Sequence, residues 1–581
     1  MHDNRLWVFL EHWCLLFWPA CRSRYTSYLS PPIPYITRKN LAISIQQLIV
    51  NRLWFQLNAM IPTKTTVLVV GGGPGGSYAA AVLARENVDV VILEADKFPR
   101  YHVGESQLAA LRHFLRFIDL EKEFDAYGFQ RKVGGAFKLN RHKREGYSDF
   151  ISHDPKNYSW HVIRSESDEL MLRYASRVGA KVFEETKVTD IEFGTPVEGQ
   201  ETRPVAALWK GKNGDTGRIQ FDYIIDASGR TGILSTQYLK NREFNNKLMN
   251  VAFWGYWTGA GRYMAGTPRE DSIFVEALTD ETGWVWFIPL HDGTTSVGVV
   301  MDQEKSNLMR AAVKEARGDS SSSAHYLRQL ELAPAIRELM VDAKLIKKPD
   351  APLVSSASDY SYAARYHAGP GYRIIGDAGA FIDPFFSSGV HLAVSGGLSA
   401  AATICAVMKG ECSELDAARW HTTKLNSSYT RFMLVVLSAY HQIRSQDSPI
   451  LSAQEDDNFD LAFEFFRPII QGNTESGGKF ADDNLGKTID FLGKHVFEPS
   501  YPEQRAELVA LYGDQLDAVP KARVPGDNEA KAETKTILKH MAVQKLIRME
   551  DVAHIGNYVS DVFEGHRLRL KRGELGLDKA A

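Results

Sequence analysis

Thr66-Val67-Leu68-Val69-Val70-Gly71-Gly72-Gly73-Pro74-Gly75-Gly76 decides the fold. Its first five residues form a short, continuous apolar run, as a strand buried on both faces of a parallel sheet requires. The glycines follow at once. Ser77 to Asn87 then reads as a helix, and a second strand, Val88 to Leu93, ends at Glu94. Each glycine has a mechanical task. Gly71 permits the tight turn, Gly73 lets a pyrophosphate approach the backbone, and Gly76 lets helix and strand pack closely, with Gly72 and Gly75 completing the loop. The helix N-terminus offers unpaired N–H groups and partial positive charge to phosphates. Glu94, 18 residues beyond Gly76, is placed to accept ribose hydroxyls. Strand, glycine loop, helix, second strand and terminal acid in this order predict a dinucleotide site.

The rest of the chain sets bounds around that site. At 581 residues it holds two or three packed layers or domains. A net charge of −3 gives no electrostatic case for nucleic acid or an anionic membrane. Cys14, Cys21, Cys405 and Cys412 are scattered, with no C-x-x-C pair and no disulfide framework, and no metal site is expected. That pattern fits a reducing, cytoplasmic compartment. Residues 1–59 stand apart. Their apolar stretch, Leu6 to Cys21, is interrupted by Glu11 and is shorter than the roughly 20 residues that span a bilayer. The segment reads as an upstream extension with translation starting at Met60, or alternatively as a membrane-associating segment.

FAD is favoured over NAD by two later segments. Phe221 to Arg230 is a hydrophobic strand ending in Asp226-Ala227-Ser228-Gly229, and Tyr372 to Ala380 is another ending in Gly376-Asp377. An Asp after such a strand can hold ribityl hydroxyls, and small residues let the chain pass close to a flavin. The alternative task for each Asp is to cap a following helix. The three segments resemble the FAD motifs of the large flavin monooxygenase-like fold. The resemblance implies an α/β protein: an FAD-binding Rossmann-like domain of the flavin monooxygenase type, an inserted, mainly β substrate sheet, and a helical C-terminal region. The expected divisions are 1–59, a core over 60–412, and 413–581.

Four further stretches narrow the class. They are Gly104-Glu105-Ser106; Gly128 to Leu139, which contains Lys132; Trp284-Val285-Trp286-Phe287-Ile288-Pro289; and Phe381 to Val390, which fits F-x-x-P-x-x-S-x-G. In this order they resemble the flavin-dependent halogenases, in particular the fungal phenol-directed branch that acts on polyketides and meroterpenoids. The resemblance implies reduced FAD supplied by a separate reductase, with chloride and oxygen as co-substrates. Hypohalous acid made at the flavin then passes to a lysine, which delivers halogen to an electron-rich ring. By carry-over Lys132 is that lysine, with Lys138 as fallback. Ser388 and Gly389 are the chloride-binding pair, and Glu105 and Val390 lie against the flavin. The bland reading of Lys132 is one more solvated cation beside Arg131, Lys138 and Arg141. The bland reading of Ser388 is a plain helix cap. Trp284 and Trp286 are explained nearly as well by core packing.

One departure from the family is informative. Halogenases acting on free tryptophan carry a glutamate just before the Ser-x-Gly element, where this chain has Phe386. A phenol stabilises its own arenium cation, so the missing carboxylate points to a hydroxylated aromatic, free or attached to a carrier. The nearest rival is a single-component FAD-dependent aromatic hydroxylase. Against it, Asp226-Ala227-Ser228-Gly229 lacks that group's Gly-Ala-Asp-Gly form, and no second NAD(P)H-reading motif appears. A non-catalytic flavoprotein is the third reading. Beyond Ser413 the pattern turns helical, over Tyr429 to Arg444, Phe459 to Ile470 and Lys539 to Leu570, with a polar loop at Asp514 to Lys535. Phe432, Met433, Tyr440, Phe463, Phe465 and Phe466 read as core more readily than as a pocket.

Overall fold

Val67, Leu68 and Val69 are fully buried, because the strand Lys64–Val70 lies in the middle of a parallel sheet. The computed structural model describes residues 60–444, 446 and 562–580, apart from 140, 143–144, 152–154, 196–201 and 350. The expectations for 1–59, for Phe459 to Ile470 and for the loop at 514–535 lie outside the described residues. The parallel strands run in the order Lys181–Phe183, Val90–Leu93, Lys64–Val70, Thr216–Asp226 and Tyr372–Ile374. The long strand Thr216–Asp226 serves twice. Its start pairs antiparallel with Pro204–Gly211, and its end pairs parallel with Lys64–Val70.

The glycine loop leads into the helix Pro74–Arg85, which begins three residues earlier than the sequence suggested. Pro74 explains this: its fixed φ suits the first helical turn, and its missing N–H is not needed there. The second strand starts at Val90 rather than Val88. The helix packs between Arg164–Arg177 and the long helix Gly389–Met408. That last helix is long and apolar enough to cross a membrane by length alone, but most of it is buried inside the protein, where it is the central helix of the core.

The inserted sheet has nine strands and is almost wholly antiparallel. Its centre is Arg242–Thr258, Thr295–Asp302, Gly283–Pro289 and Ile273–Ala277, and Gly134–Lys138 joins Ile273–Ala277 in parallel. Alternation along a strand sends successive side chains to opposite faces. Trp284, Trp286 and Ile288 therefore join one core with Phe385, Phe432 and Tyr440, while Val285 and Phe287 join another with Tyr326, Leu330 and Ile336. Phe432, Met433 and Tyr440 sit in the helix Glu414–Ile443 and are core residues, as expected.

One expectation fails. The helix expected over Lys539 to Leu570 does not extend through its end. Val562–Phe563 and His566–Arg569 are strands of a three-stranded antiparallel sheet completed by Gly576–Lys579. Phe563, Leu568, Leu575 and Leu577 are buried with Trp420, whose indole N–H donates to the His566 carbonyl at 3.1 Å. The alternation of His566-Arg567-Leu568-Arg569 suits a strand with one buried face, and tertiary packing overrode the helical pattern.

The closest backbone approach in the cofactor domain is at Gly76, where a Cβ would stand 2.0 Å from the Gly71 carbonyl oxygen. Gly76→Ala is expected to destabilise the chain by about 2–4 kcal/mol through overpacking against backbone that cannot yield. Thermal unfolding of the full chain checks this; an unchanged midpoint would refute it.

Candidate active site

A cavity of about 550 Å³ opens where the parallel sheet ends. Its walls are the glycine loop, the stretch Arg100–Ser106, the turns after Asp226 and Ile375, the Trp284–Ile288 strand and the N-terminus of Gly389–Met408. The carboxyl ends of parallel strands are where α/β sheets place nucleotides. The residues present fit an FAD. Gly73 borders the cavity, and a Cβ there would meet only the Arg100 guanidinium, at 3.5 Å. Gly71 cannot carry a side chain at all, with φ at +102° and the Ala227 carbonyl oxygen 2.3 Å from its would-be Cβ.

The two aspartates that the sequence could not tell apart have different tasks. Asp226 is buried, and its carboxylate accepts from the Ser228 and Leu234 N–H groups at 3.1 and 2.7 Å, so it closes a turn. Asp377 stands in the cavity wall instead. Burial raises its pKa, and Arg230, Arg164 and Arg242 oppose that shift. Glu94 also lines the cavity, with its carboxylate accepting from the N–H groups of Gly72 and Asp96. Glu105 is buried beside the cavity and accepts from the Tyr256 hydroxyl at 2.6 Å. Burial pushes the Glu105 carboxyl pKa up.

Sequence reasoning missed two cations here. Arg164 and Arg100 line the cavity, and both bind Asp168, at 2.8 and 3.0 Å. Arg164 also holds the His102 imidazole down at about 4 by charge repulsion. The available signal was Arg164 and Asp168 at i and i+4 on one helix.

The Ser-x-Gly element meets the cavity through Ser387, Gly389 and Val390. Ser387 takes a left-handed conformation, φ +57°, which turns the chain into the helix N-terminus. Ser388 is buried and its Oγ has no hydrogen-bond partner, so it does not act as a side-chain cap. Nothing lies within 4 Å of a Cβ built on Gly389. The loop before it is anchored by buried Asp383, which accepts from Tyr440 at 2.6 Å and from Asn250 at 2.9 Å. Trp284 donates to Tyr440 at 2.8 Å. The W-x-W strand, the helix Glu414–Ile443 and the loop before Gly389 are thus tied by one buried network. Phe386 packs against Phe137 and Phe385.

Lys132 is not on the cavity wall. It ends the strand Gln130–Lys132, which pairs with Ser159–His161. On the other side of Ser159–His161, Ser106 pairs with His161, with hydrogen bonds from Gln107 to Trp160 and from Val162 to Glu105. This array joins Lys132 to the cavity wall at Glu105 and Ser106. Arg131 is exposed, whereas Lys132 is 2% exposed, which removes the solvated-cation reading. Burial alone lowers its pKa from 10.5 to about 7. Its Nζ lies over the Phe150 ring, 5.1 Å from the centroid. Lys138 is only half-buried. Among the described residues no cluster of metal-ligating side chains occurs, and Cys405 and Cys412 are free thiols.

Fold and cavity define an FAD-binding protein, and the comparisons with known proteins agree. A family model described as an FAD binding domain matches residues 64–423. A flavin-dependent halogenase (ascD) of Acremonium egyptiacum is 48% identical over 531 residues, covering 89% of this chain and 93% of the relative. The sulochrin halogenase (gedL) of Aspergillus terreus is 47% identical over 539 residues, covering 90% and 94%. The solved structure of the myxobacterial chondrochloren halogenase CndH is similar at 25% identity and a TM-score of 0.57, covering 89% of this chain and 100% of that one. The chain belongs to the flavin-dependent halogenases. It is an oxidoreductase, and the hydroxylase and non-catalytic readings are set aside.

Two outcomes follow from this geometry. Gly73→Ala should leave the unfolding midpoint nearly unchanged and weaken FAD binding about tenfold or more, since its methyl occupies the phosphate approach; flavin titration measures this. Lys132 is protonated up to about 10.5 in the unfolded chain but only to about 7 in the folded one. The unfolded state binds more protons between these values, so stability rises with pH across that window and the full cost remains below it. Lys132→Met is therefore expected to stabilise the protein at pH 7 by roughly 1–2 kcal/mol, with the gain shrinking as pH approaches 10. Denaturant unfolding at both pH values checks the sign.

Proposed function

We propose that this protein chlorinates an electron-rich phenolic ring of a secondary metabolite, a polyketide or meroterpenoid, by way of hypohalous acid delivered through Lys132. The observation that carries the reading is the Lys132 side chain: buried, placed near 7 by burial alone, and joined to the flavin cavity by a three-strand array. When bound, reduced FAD with oxygen supplies the oxidising equivalents that convert chloride to hypohalous acid; a separate flavin reductase provides the reduced cofactor. The rest is the chain's own work. Gly73, Arg100, Glu94 and Asp377 hold the cofactor's polar groups. Ser388 Oγ and the N–H groups at Gly389 offer chloride a partner and positive potential. Trp284 and Trp286 wall the cavity and keep the organic substrate from the flavin.

At pH 7 Lys132 is divided between amine and ammonium. The amine can bond to halogen, and the ammonium can polarise hypohalous acid. Phe386 supports a phenol over an indole, because no carboxylate stands at that position to assist a cationic ring. The name of the Aspergillus relative, a sulochrin halogenase, supports a small-molecule substrate. A cytoplasmic placement is consistent with the free thiols.

An assay containing FAD, a flavin reductase, NADH, chloride, resorcinol-type phenols and tryptophan tests this by mass spectrometry. A chlorine isotope doublet on a phenol and not on tryptophan is expected. Lys132→Ala should lower chlorinated product by about 10³-fold or more while FAD binding and oxygen consumption persist. Full chlorination by that variant would overturn the assignment of Lys132.

A further inference from the structure

The array beside the cavity carries more polar chemistry than packing requires. Residues directly opposite across antiparallel strands project from the same face. Ser106 lies opposite His161, and His161 opposite Gln130; Ser159 lies opposite Lys132. One face therefore presents Ser106, His161 and Gln130 in one row, with Ser159 and Lys132 in the next. Ser106 also stands in the wall of the flavin cavity. Ser106, Ser159 and His161 are all buried, yet Ser106 Oγ, Ser159 Oγ and His161 Nδ1 have no hydrogen-bond partner. Buried polar atoms are almost always paired, and each exception costs roughly 1–3 kcal/mol. Three such atoms on one face, leading from the cavity to a buried amine, point to a polar ligand that completes them.

The tautomer of His161 shows what kind of ligand. Its Nε2 lies 3.1 Å from the Asp271 carbonyl oxygen, which can only accept. Nε2 therefore carries the proton, and Nδ1 presents a lone pair. Burial first, and then the neighbouring Lys132, keep the imidazole neutral by lowering its pKa well below the ordinary value. Among the titratable groups nearby, the Asp271 carboxylate is engaged by Gln130 at 3.0 Å and Arg262 at 2.9 Å, and the Glu105 carboxylate by the Tyr256 hydroxyl at 2.6 Å.

We infer that Ser106, His161 and Ser159 form a relay that holds a small neutral oxyacid between the flavin cavity and Lys132, with His161 as its positioning residue. His161 Nδ1 accepts the O–H of hypochlorous acid, the serine hydroxyls donate to its oxygen, and the chlorine is turned toward Lys132 Nζ. As the neutral amine attacks, the N–Cl bond forms and the O–Cl bond breaks. The departing hydroxide takes a proton from the nitrogen, so R–NH₂ and HOCl give R–NHCl and water. This inference rests on Lys132 as the halogen carrier.

The test uses the full chain with FAD, in the variants His161→Leu, His161→Gln and Ser159→Ala. The partition between chlorinated phenol and oxidant escaping to a β-diketone trap in solution is measured beside oxygen consumption. Competitive acetylation, quantified at Lys132 by mass spectrometry without flavin or halide, reports its titration. In His161→Leu oxygen consumption should persist, chlorinated phenol should fall about tenfold with the lost oxidant recovered by the trap, and Lys132 should titrate roughly one pH unit lower, because an apolar side chain replaces a polar imidazole in its buried surroundings. His161→Gln, which retains an acceptor, should recover part of both. Ser159→Ala, a one-atom deletion, should shift the partition in the same direction and keeps the test open if His161→Leu does not fold. Unchanged partition and unchanged Lys132 titration in the variants that fold would overturn the relay. Full chlorination by Lys132→Ala would instead overturn the carrier reading itself.

Discussion

Backbone-to-backbone contact between two helices sets the geometry on which the site depends. Pro74–Arg85 and Gly389–Met408 meet where a Cβ on Gly397 would stand 2.8 Å from the Gly75 carbonyl oxygen, and one on Gly75 would stand 3.0 Å from that of Ala393. Gly76 meanwhile presses the first helix against the Gly71 turn. Absent side chains let the helices approach until both N-termini open on one cavity. Each terminus contributes unpaired N–H groups and partial positive charge. Both favour anions, so the contact that packs the core also brings two regions of positive potential to the same space.

The buried polar groups around this cavity divide into two kinds. Asp383, Asn250, Tyr440 and Trp284 form a connected set that joins the inserted sheet, the loop before Gly389 and the helix Glu414–Ile443. Such a network fixes one arrangement of the three elements. His161, Ser159 and Ser106 show the opposite pattern: burial without full satisfaction. That costs stability, and proteins retain such groups where chemistry needs them. The contrast separates a satisfied network that ties three elements together from a polar face left open beside the cavity.

The inserted sheet supplies an aromatic wall to the flavin cavity. Alternation places Trp284, Trp286 and Ile288 toward the cavity and Val285 and Phe287 away from it. Two indoles in succession on one face make a wall, and Trp284 is further held by its bond to Tyr440. Lys132 lies off this cavity and is joined to its wall by the polar face of the small array. Rigid aromatics therefore serve as structure and as partition together.

What the sequence determined by itself was local. A glycine loop between a buried strand and a helix, and an acid at the end of the next strand, are read within some thirty residues, because turn geometry and helix termini depend on near neighbours. The motifs around Glu105, Lys132, Trp284 and Ser388 likewise pointed to the family. Tertiary structure decided what near neighbours cannot. Asp226 and Asp377 follow similar strands, yet one closes a turn and the other faces the cavity. Arg100 and Arg164 enter the site only because their partner Asp168 is folded beneath it. Residues 562–569 became strands because Trp420 and the central helix offered a surface to cover. The pKa of Lys132 came from burial alone, and its link to Ser106 and His161 from strand pairing between distant segments. Burial and long-range register are properties of the assembled fold, and no window of sequence contains them.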